Sequence, residues 1–496
     1  MPRKFPRLVW LAAPLAFVLY FYRLSAFGLL GPDEPRYASI AREMARSGDW
    51  VTPRLWGSPW FEKPALTYWL SGAGFRLGLG PELAPRLPVA LLATCFLVFF
   101  WWIVKREFGC LEAGIATLIL GTCGEWIGLS QVGTTDLPMT ATFSAAMLLA
   151  LPWLARREAR FLPAASALLG LAVLAKGLLP LVLATPLLAA AWWFRRQAAG
   201  PDASAPALGD LIRPRVLAPF LVAALPWYAL CYLRNGNPFL VEFIWRQQIG
   251  RFFSSELQHG QPWWYYAPVL AGAFLPWTAA LPMLARREAY RDRRRLFLAL
   301  WFLFGFVFFS VSRNKLGGYL LPLLPPLALL AGLAIAEAKD ARGWLAACAL
   351  LLIAYPVTFQ VLPDALAWGL SRAPRPEFHW SWLLPGAAAA LVWMLAARGK
   401  RAGAVAVVAL GVGAGVFCVK QFEAARVDEL ASVRDLWSHI KGQAGDICYG
   451  DIRRDSIYGL KYYAGAELPD CSAQPRPLQL VQSQGHGLGI EARPRK

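Results

Sequence analysis

Apolar runs of about 20 residues recur from one end of this 496-residue chain to the other. As a helix, a run of that length matches the hydrocarbon thickness of a bilayer. In lipid the backbone has to satisfy its own hydrogen bonds, so helices and closed barrels are the only spanning solutions. The alternation of apolar and polar residues that a barrel needs is absent. Charged residues make up only 16% of the chain, against about 25% in soluble domains. The sequence therefore specifies an all-α polytopic membrane protein.

About thirteen candidate spans are legible, near 8–30, 87–104, 112–130, 137–155, 161–175, 178–194, 215–233, 267–285, 296–312, 319–337, 344–363, 381–397 and 403–420. The first follows a short basic start and is too long for a signal-peptide core, so it reads as a retained anchor. The fifth and sixth are short and joined by a tight turn at Lys176-Gly177. The net charge of +19 is explained largely by the positive-inside rule. Lys105-Arg106, Arg156-Arg157, Arg195-Arg196, Arg286 to Arg295 and Arg398 to Arg401 all fall on one side if the N-terminus is cytoplasmic. The expected arrangement is a membrane domain over 1–420, with long outer loops at 31–86 and 234–266. A small α/β C-terminal domain over 421–496 follows on the outer side, which in a bacterium is the periplasm. Within the tail, Phe422 to Lys441 reads as helix, Ile447 to Tyr449 as strand and 472–496 as disordered. Cys448 and Cys471 can pair in an oxidising compartment, and the other six cysteines lie in or near apolar runs. Nothing in the pattern indicates a nucleic-acid partner.

One polar stretch, Leu30 to Trp69, stands out between two apolar runs. Asp33 and Glu34 follow Gly31-Pro32 and precede Pro35, which opens an amphipathic helical pattern running to Arg46. Either acid can serve as a helix N-cap, as a carboxylate facing a cavity, or as both. Glu62-Lys63-Pro64 reads as a surface ion pair or as a site. Pro64 forces extended geometry on Lys63, where an ammonium can reach a phosphate. Asp136 follows Thr134-Thr135 at the outer start of a span, as a cap or as a second cavity acid. Arg246 and Arg251 sit among aromatics, as interfacial anchors or anion ligands. Arg313, Lys315 and Tyr319 belong to the loop RNKLGGY. A basic outer loop runs against the positive-inside rule and favours phosphate binding, with Gly317-Gly318 allowing close backbone approach. The four histidines are scattered, and no HExxH or Walker A pattern exists.

These motifs carry a family resemblance. The run DEPRYASIAREMARSGDWVTPRLWGSPWFEKPALTYW resembles the first periplasmic loop of the lipid A aminoarabinose-transferase family. TTD at 134–136, RQQIGRF at 246–252, PWWYY at 262–266 and SRNKLGGYLLPLLPPLALL at 312–330 continue the likeness in order. That family consists of GT-C glycosyltransferases related to protein O-mannosyltransferases. The resemblance implies an inverting transferase in the bacterial inner membrane. Its donor would be a sugar on undecaprenyl phosphate, and its acceptor lipid A or another envelope molecule. It implies that Asp33 is the essential acid, with Glu34 and Asp136 beside it. It implies that Lys63, Arg251 and Tyr319 hold the lipid-linked phosphate, and Arg313 and Lys315 lie in the same loop as Tyr319. It places Glu62 at a divalent metal. The family histidine that would join Glu62 is Gln248 here, a weak zinc ligand, so no cofactor is required by the sequence. Relatives also often have Pro-Thr where this chain has Gly317-Gly318. Two alternatives remain at this stage, transfer to protein hydroxyls and a lipid-linked sugar flippase. A flippase is expected to carry inverted repeats and polar residues near the bilayer midplane.

Overall fold

The computed structural model describes residues 9–197, 205–250, 260–482 and 488–492. Among them, nine helices are long and apolar enough to cross a membrane, and up to ten if one bent pair counts as a single span. The expected thirteen is thus too high for uninterrupted helices. Each shortfall has a local cause. The first run carries Pro14 and ends its helical part at Phe21. The third is a shorter helix, Cys110–Gly121, followed after a break by Gly124–Leu129. The sixth is split into Leu179–Leu183 and Thr185–Gln197, each with a proline in its first turn. The eighth bends by 116° between Tyr266–Ala273 and Trp277–Ala285, where Pro276 removes a helical donor.

The span Asp136–Arg156 lies at the centre of the bundle and is buried along its apolar length. Its composition explains the position. Small and hydroxylated residues (Thr140, Ala141, Thr142, Ser144, Ala145) let neighbouring backbones approach on every side. Thr142 returns its hydroxyl to the Pro138 carbonyl at 2.7 Å, so it is not left unsatisfied in the apolar interior. Leu83–Glu107, Ala159–Lys176 and Gly317–Leu323 pack around this central helix. Its N-terminal residue, Asp136, therefore sits at the middle of one end of the molecule.

The helical pattern after Gly31-Pro32 is realised as Asp33–Ser47, with both acids in the first turn, where they complement the helix dipole. Gly48 ends it in the left-handed region, at φ +75°. A two-residue hairpin, Arg54–Leu55 with Ser58–Pro59, follows, and then helix Leu66–Arg76.

The C-terminal segment contains helices Ala424–Ala431, Arg434–Ile440 and Arg454–Ala464. Ile447–Tyr449 is a strand, paired parallel with Leu478–Gln482, which pairs antiparallel with Leu488–Ala492. The expectation of disorder after 472 is therefore corrected for both of these strands. Leu480 is fully buried in a separate apolar cluster with Ile447, Leu460 and Leu468. Burial of this kind offsets the polar composition that suggested disorder. Cys448 and Cys471 form a disulfide, with Cα atoms 5.0 Å apart.

Candidate active site

Asp33 and Glu34 are neighbours in sequence with different environments. Glu34 is fully buried. Arg86, from the start of Leu83–Glu107, meets it with two parallel bonds, Nε to Oε1 at 2.7 Å and Nη2 to Oε2 at 2.8 Å. The amides of Leu30 and Gly133 also donate to it, each at 2.9 Å. Arg86 gives its remaining donors to the carbonyls of Leu24, Phe27 and Gly28. Such a bidentate, fully satisfied pair is strong, and removing one partner would leave a buried charge. Glu34 thus stitches the first loop to the turn that precedes Asp136. A side chain on Gly133 would sit 2.7 Å from Pro85 Cβ, so this approach requires glycine.

Asp33 faces the other way, and its side chain is 48% exposed. Its Oδ1 accepts from Arg36 Nη2 at 2.5 Å. The same nitrogen lies 3.1 Å from Glu62 Oε2, and Glu62 Oε1 lies 3.4 Å from Lys63 Nζ. The result is a row of alternating charges, Asp33, Arg36, Glu62 and Lys63, drawn from the start of one helix and the FEKP turn. Arg36 is only 4% exposed. Burial alone would lower its pKa, but the carboxylates of Glu62 and Asp33 outweigh that and hold it charged. Burial and the Glu62 carboxylate push the phenols of Tyr37 and Tyr68 well above their ordinary range, so both remain protonated.

A second cluster adjoins the first. Lys176, at the turn joining the fifth and sixth runs, forms a short ion pair with Asp136. Its ammonium lies 5.2 Å from the centre of the Tyr319 ring. A Cβ on Gly318 would lie 3.7 Å from Asp136 Oδ1, so the Gly-Gly loop runs directly beside this acid. Lys176 is also within electrostatic range of Asp33.

Other expected residues lie apart from these clusters. Lys315 is buried, and its ammonium donates to the carbonyls of Gln261 at 3.0 Å and Ser312 at 2.6 Å, which ties two loops together. Arg313 is exposed and lines a groove of about 920 Å³ with Trp263, Trp264, Phe306, Val307 and Val311. Arg246 is exposed and pairs with Glu242 at 3.0 Å on its own helix. Arg251 and the side chain of Gln248 lie outside the described residues.

Among the described residues, the donor set at Glu62 does not favour a divalent metal. Its carboxylate stands between the cations of Arg36 and Lys63, which oppose a further positive charge. Among the described residues no group of three or more His, Cys, Asp or Glu side chains comes together to hold a metal ion.

Sequence reasoning missed Arg36, Lys176 and Arg86. A signal existed for each. Arg36 stands three residues after Asp33, the spacing of a helical ion pair. Lys176 is a cation at the outer end of two apolar runs, against the positive-inside rule. Arg86 sits at the start of a span, opposite an acid that has to be buried. Glu125 was also missed. Both its carboxylate oxygens are buried with no hydrogen-bond partner among the described residues, and it feels the charges of Asp136 and Lys176.

Comparison with known proteins adds four findings. Residues 62–205 match the family model for dolichyl-phosphate-mannose-protein mannosyltransferase. An undecaprenyl phosphate-alpha-4-amino-4-deoxy-L-arabinose arabinosyl transferase from Pseudomonas paraeruginosa is 34% identical, over 95% of this chain and 89% of its own length. The crystal structure of ArnT from Cupriavidus metallidurans bound to undecaprenyl phosphate has a TM-score of 0.75 and 28% identity, covering 96% of this chain and 86% of that one. The arabinosyltransferase EmbB from Mycobacterium smegmatis, 14% identical with a TM-score of 0.51, shares the fold alone. The GT-C architecture expected from the motifs is therefore met.

Proposed function

This chain belongs to the undecaprenyl phosphate-4-amino-4-deoxy-L-arabinose arabinosyl transferase family of multi-pass membrane proteins, and we propose that it moves 4-amino-4-deoxy-L-arabinose from undecaprenyl phosphate to lipid A. The observation that carries this reading is the meeting of two charged clusters at one end of the bundle. One is Asp33, Arg36, Glu62 and Lys63, and the other is Asp136, Lys176 and Tyr319. Cations and a phenol suit a departing phosphate, and a half-exposed acid suits the sugar and its acceptor.

In this mechanism an acceptor oxygen attacks the anomeric carbon of the sugar from the face opposite the phosphate. The new carbon–oxygen bond forms as the bond to the phosphate oxygen breaks, and the electron pair leaves with the phosphate. The configuration inverts. Lys63, with Arg251 and Tyr319, would neutralise the charge that grows on the leaving phosphate. Asp33 would orient the acceptor, take its proton where the acceptor is a hydroxyl, and stabilise positive charge at the anomeric carbon. When the acceptor is already an ionised phosphate no proton has to move. Asp136 is held by Lys176 and would fix the position of the Tyr319 loop. Glu34 has no route to the substrate and would act through position alone.

The same reading places the N-terminus in the cytoplasm and the site and C-terminal segment in the periplasm, across the inner membrane. Two observations support it. Arginine clusters gather at the end opposite the site. The C-terminal segment carries a disulfide, as proteins exposed to oxidising compartments do.

The test is mass spectrometry of lipid A from cells with and without the gene. A shift of one pentosamine, lost in Lys63→Ala, is the expected result. A hexose shift, or sugar found on protein with lipid A unchanged, would overturn the choice of substrate. Full transfer by purified Lys63→Ala would overturn the site.

A further inference from the structure

Arg36 and Arg86 are held in contrasting ways. Every donor nitrogen of Arg86 has a carboxylate or carbonyl partner. Arg36 serves both Asp33 and Glu62 through one nitrogen, Nη2, and its buried Nε has no hydrogen-bond partner among the described residues. Both carboxylates meet one corner of the guanidinium, so its Nε edge is held by no hydrogen bond among the described residues. Aromatic rings confine the rest of the group. Tyr37, Trp60 and Tyr458 lie with their centres 5.2, 5.8 and 5.5 Å from the Arg36 carbon. Two of these rings belong to the first loop, and the third comes from the C-terminal segment.

Tyr458 is firmly placed. It packs into the apolar cluster of the first loop, beside Tyr37, Ile40, Met44 and Tyr68. Trp56 stacks on it with ring centres 5.7 Å apart and planes 20° from parallel. Lys461, one turn further along the same helix, covers Trp56 at 4.6 Å. The helix that carries Tyr458 is anchored at both flanks of the first loop. Arg42 donates to the Tyr462 carbonyl at 2.6 Å, and the Tyr462 hydroxyl donates to the Pro81 carbonyl at 2.6 Å. The Leu29 amide donates to the Tyr463 hydroxyl at 3.0 Å.

We propose that the C-terminal segment is a working part of the site, and that Tyr458 is a positioning residue that sets the Arg36 guanidinium and, through it, Asp33. A cation over an aromatic face gains more when the pair is removed from water, and Arg36 is buried. The face of the ring is what matters. Among the described residues the hydroxyl of Tyr458 has one long contact, with Arg454 at 3.4 Å, and does not touch the charged row.

The proposal rests on the transferase reading for its kinetic test, so a second readout is chosen that does not. The full-length chain in liposomes is assayed with undecaprenyl-phosphate-linked 4-amino-4-deoxy-L-arabinose and lipid A. Tyr458→Phe keeps the ring face and is expected to hold kcat and donor KM within about twofold of wild type. Tyr458→Leu fills the space without a ring and is expected to lower kcat by about tenfold, with donor KM within about threefold. In parallel, Arg36 is labelled with phenylglyoxal and the modified peptide quantified by mass spectrometry. Labelling should run about tenfold faster in Tyr458→Leu than in wild type or Tyr458→Phe, because the guanidinium is no longer confined. Equal kcat in the Leu and Phe variants, or wild-type labelling of Arg36 in the Leu variant, overturns the proposal. If the Leu variant does not fold, Trp56→Leu removes the ring that backs Tyr458. Unchanged Arg36 labelling there overturns the proposal equally. If wild type transfers nothing, the substrate reading fails by itself and the labelling still decides this one.

Discussion

The two ends of the helix bundle both carry clusters of arginine and acid, and the clusters are built differently. At the end away from the site, Glu107 is buried and receives both guanidinium arms of Arg156, at 2.8 and 3.0 Å. Glu158 accepts from Arg106 at 2.8 Å and from Arg156 at 3.1 Å, and pairs with Arg160 at 2.5 Å. Asp210 joins Arg157 at 3.3 Å and Arg213 at 2.7 Å. Here each acid has two or more cations, and together they pin the ends of several helices. At the site end, Asp33 has one arginine, shared with Glu62, and half of its surface is open. The first cluster is closed on itself. The second retains capacity for a ligand. An abundance of charge therefore does not mark a site, whereas an incompletely satisfied, half-exposed charge is a candidate for one.

Substitutions can test that distinction, beginning with the largest effect. Asp33→Asn should cut transfer by about 10³-fold or more while the thermal midpoint stays near wild type, because the open acid contributes to reaction rather than to folding. Purified enzyme assayed beside a melting curve decides it. Arg86→Ala should destabilise the fold by about 3–5 kcal/mol, because Glu34 is left charged and buried. The measurement is yield of folded protein and the midpoint of unfolding in detergent. A fully folded Arg86→Ala enzyme would mean that the Glu34–Arg86 pair does not hold the first loop in place. Glu107→Gln, at the closed end, should lower stability by about 1–3 kcal/mol and leave turnover per folded molecule unchanged. Loss of turnover without loss of stability would blur the contrast between the ends.

The smallest effect concerns pH. Burial raises the carboxyl pKa of Glu158 and Asp210, but hydrogen bonds outweigh it, from Arg156 and Arg106 to Glu158 and from Trp153 and Arg157 to Asp210. Both acids therefore sit below the ordinary carboxylate range. A depressed folded-state pKa contributes stability that is present above the unfolded value, about 4, and is lost as pH falls through the folded value. The stability gap between wild type and Glu158→Gln should accordingly be present at pH 7 and close below about pH 4. Melting curves across that range provide the check.

Much of this arrangement was legible in the chain. Run length and loop charge give a helical membrane protein, and the polar stretch from Leu30 to Trp69 contains Asp33, Glu62 and Lys63 of the observed charged row. What could not be read was which acid of a pair turns inward. The residues by themselves leave Asp33 and Glu34 equivalent; the family resemblance singles out Asp33, and the position of Arg86 is what turns Glu34 inward. Lys315 looked like a phosphate ligand because it is basic and outside, yet its ammonium is used by two carbonyls. Lys176 was placed in a turn, but its contact with Asp136 depends on how two spans pack. The pattern of apolar runs also overstates the number of unbroken helices, since four of them stop, break or bend, at Tyr22, Thr122-Cys123, Ala184 and Phe274 to Pro276. The strand Leu478–Gln482 was hidden because the burial of Leu480 comes from distant partners such as Ile447.

The contacts between the two ends of the chain also bear on how the protein is made. Asp428 accepts a hydrogen bond from the Gly28 amide, 400 positions earlier, and Arg434 reaches back to the carbonyls of Ser25 and Ala26. The entry to the first loop is thus completed by residues made some 400 positions later. During synthesis the helices can insert one after another before the segment that closes this entry exists. A chain stopped ahead of Asp428 is expected to insert its apolar spans while the turn at Ser25 to Gly28 lacks its partners.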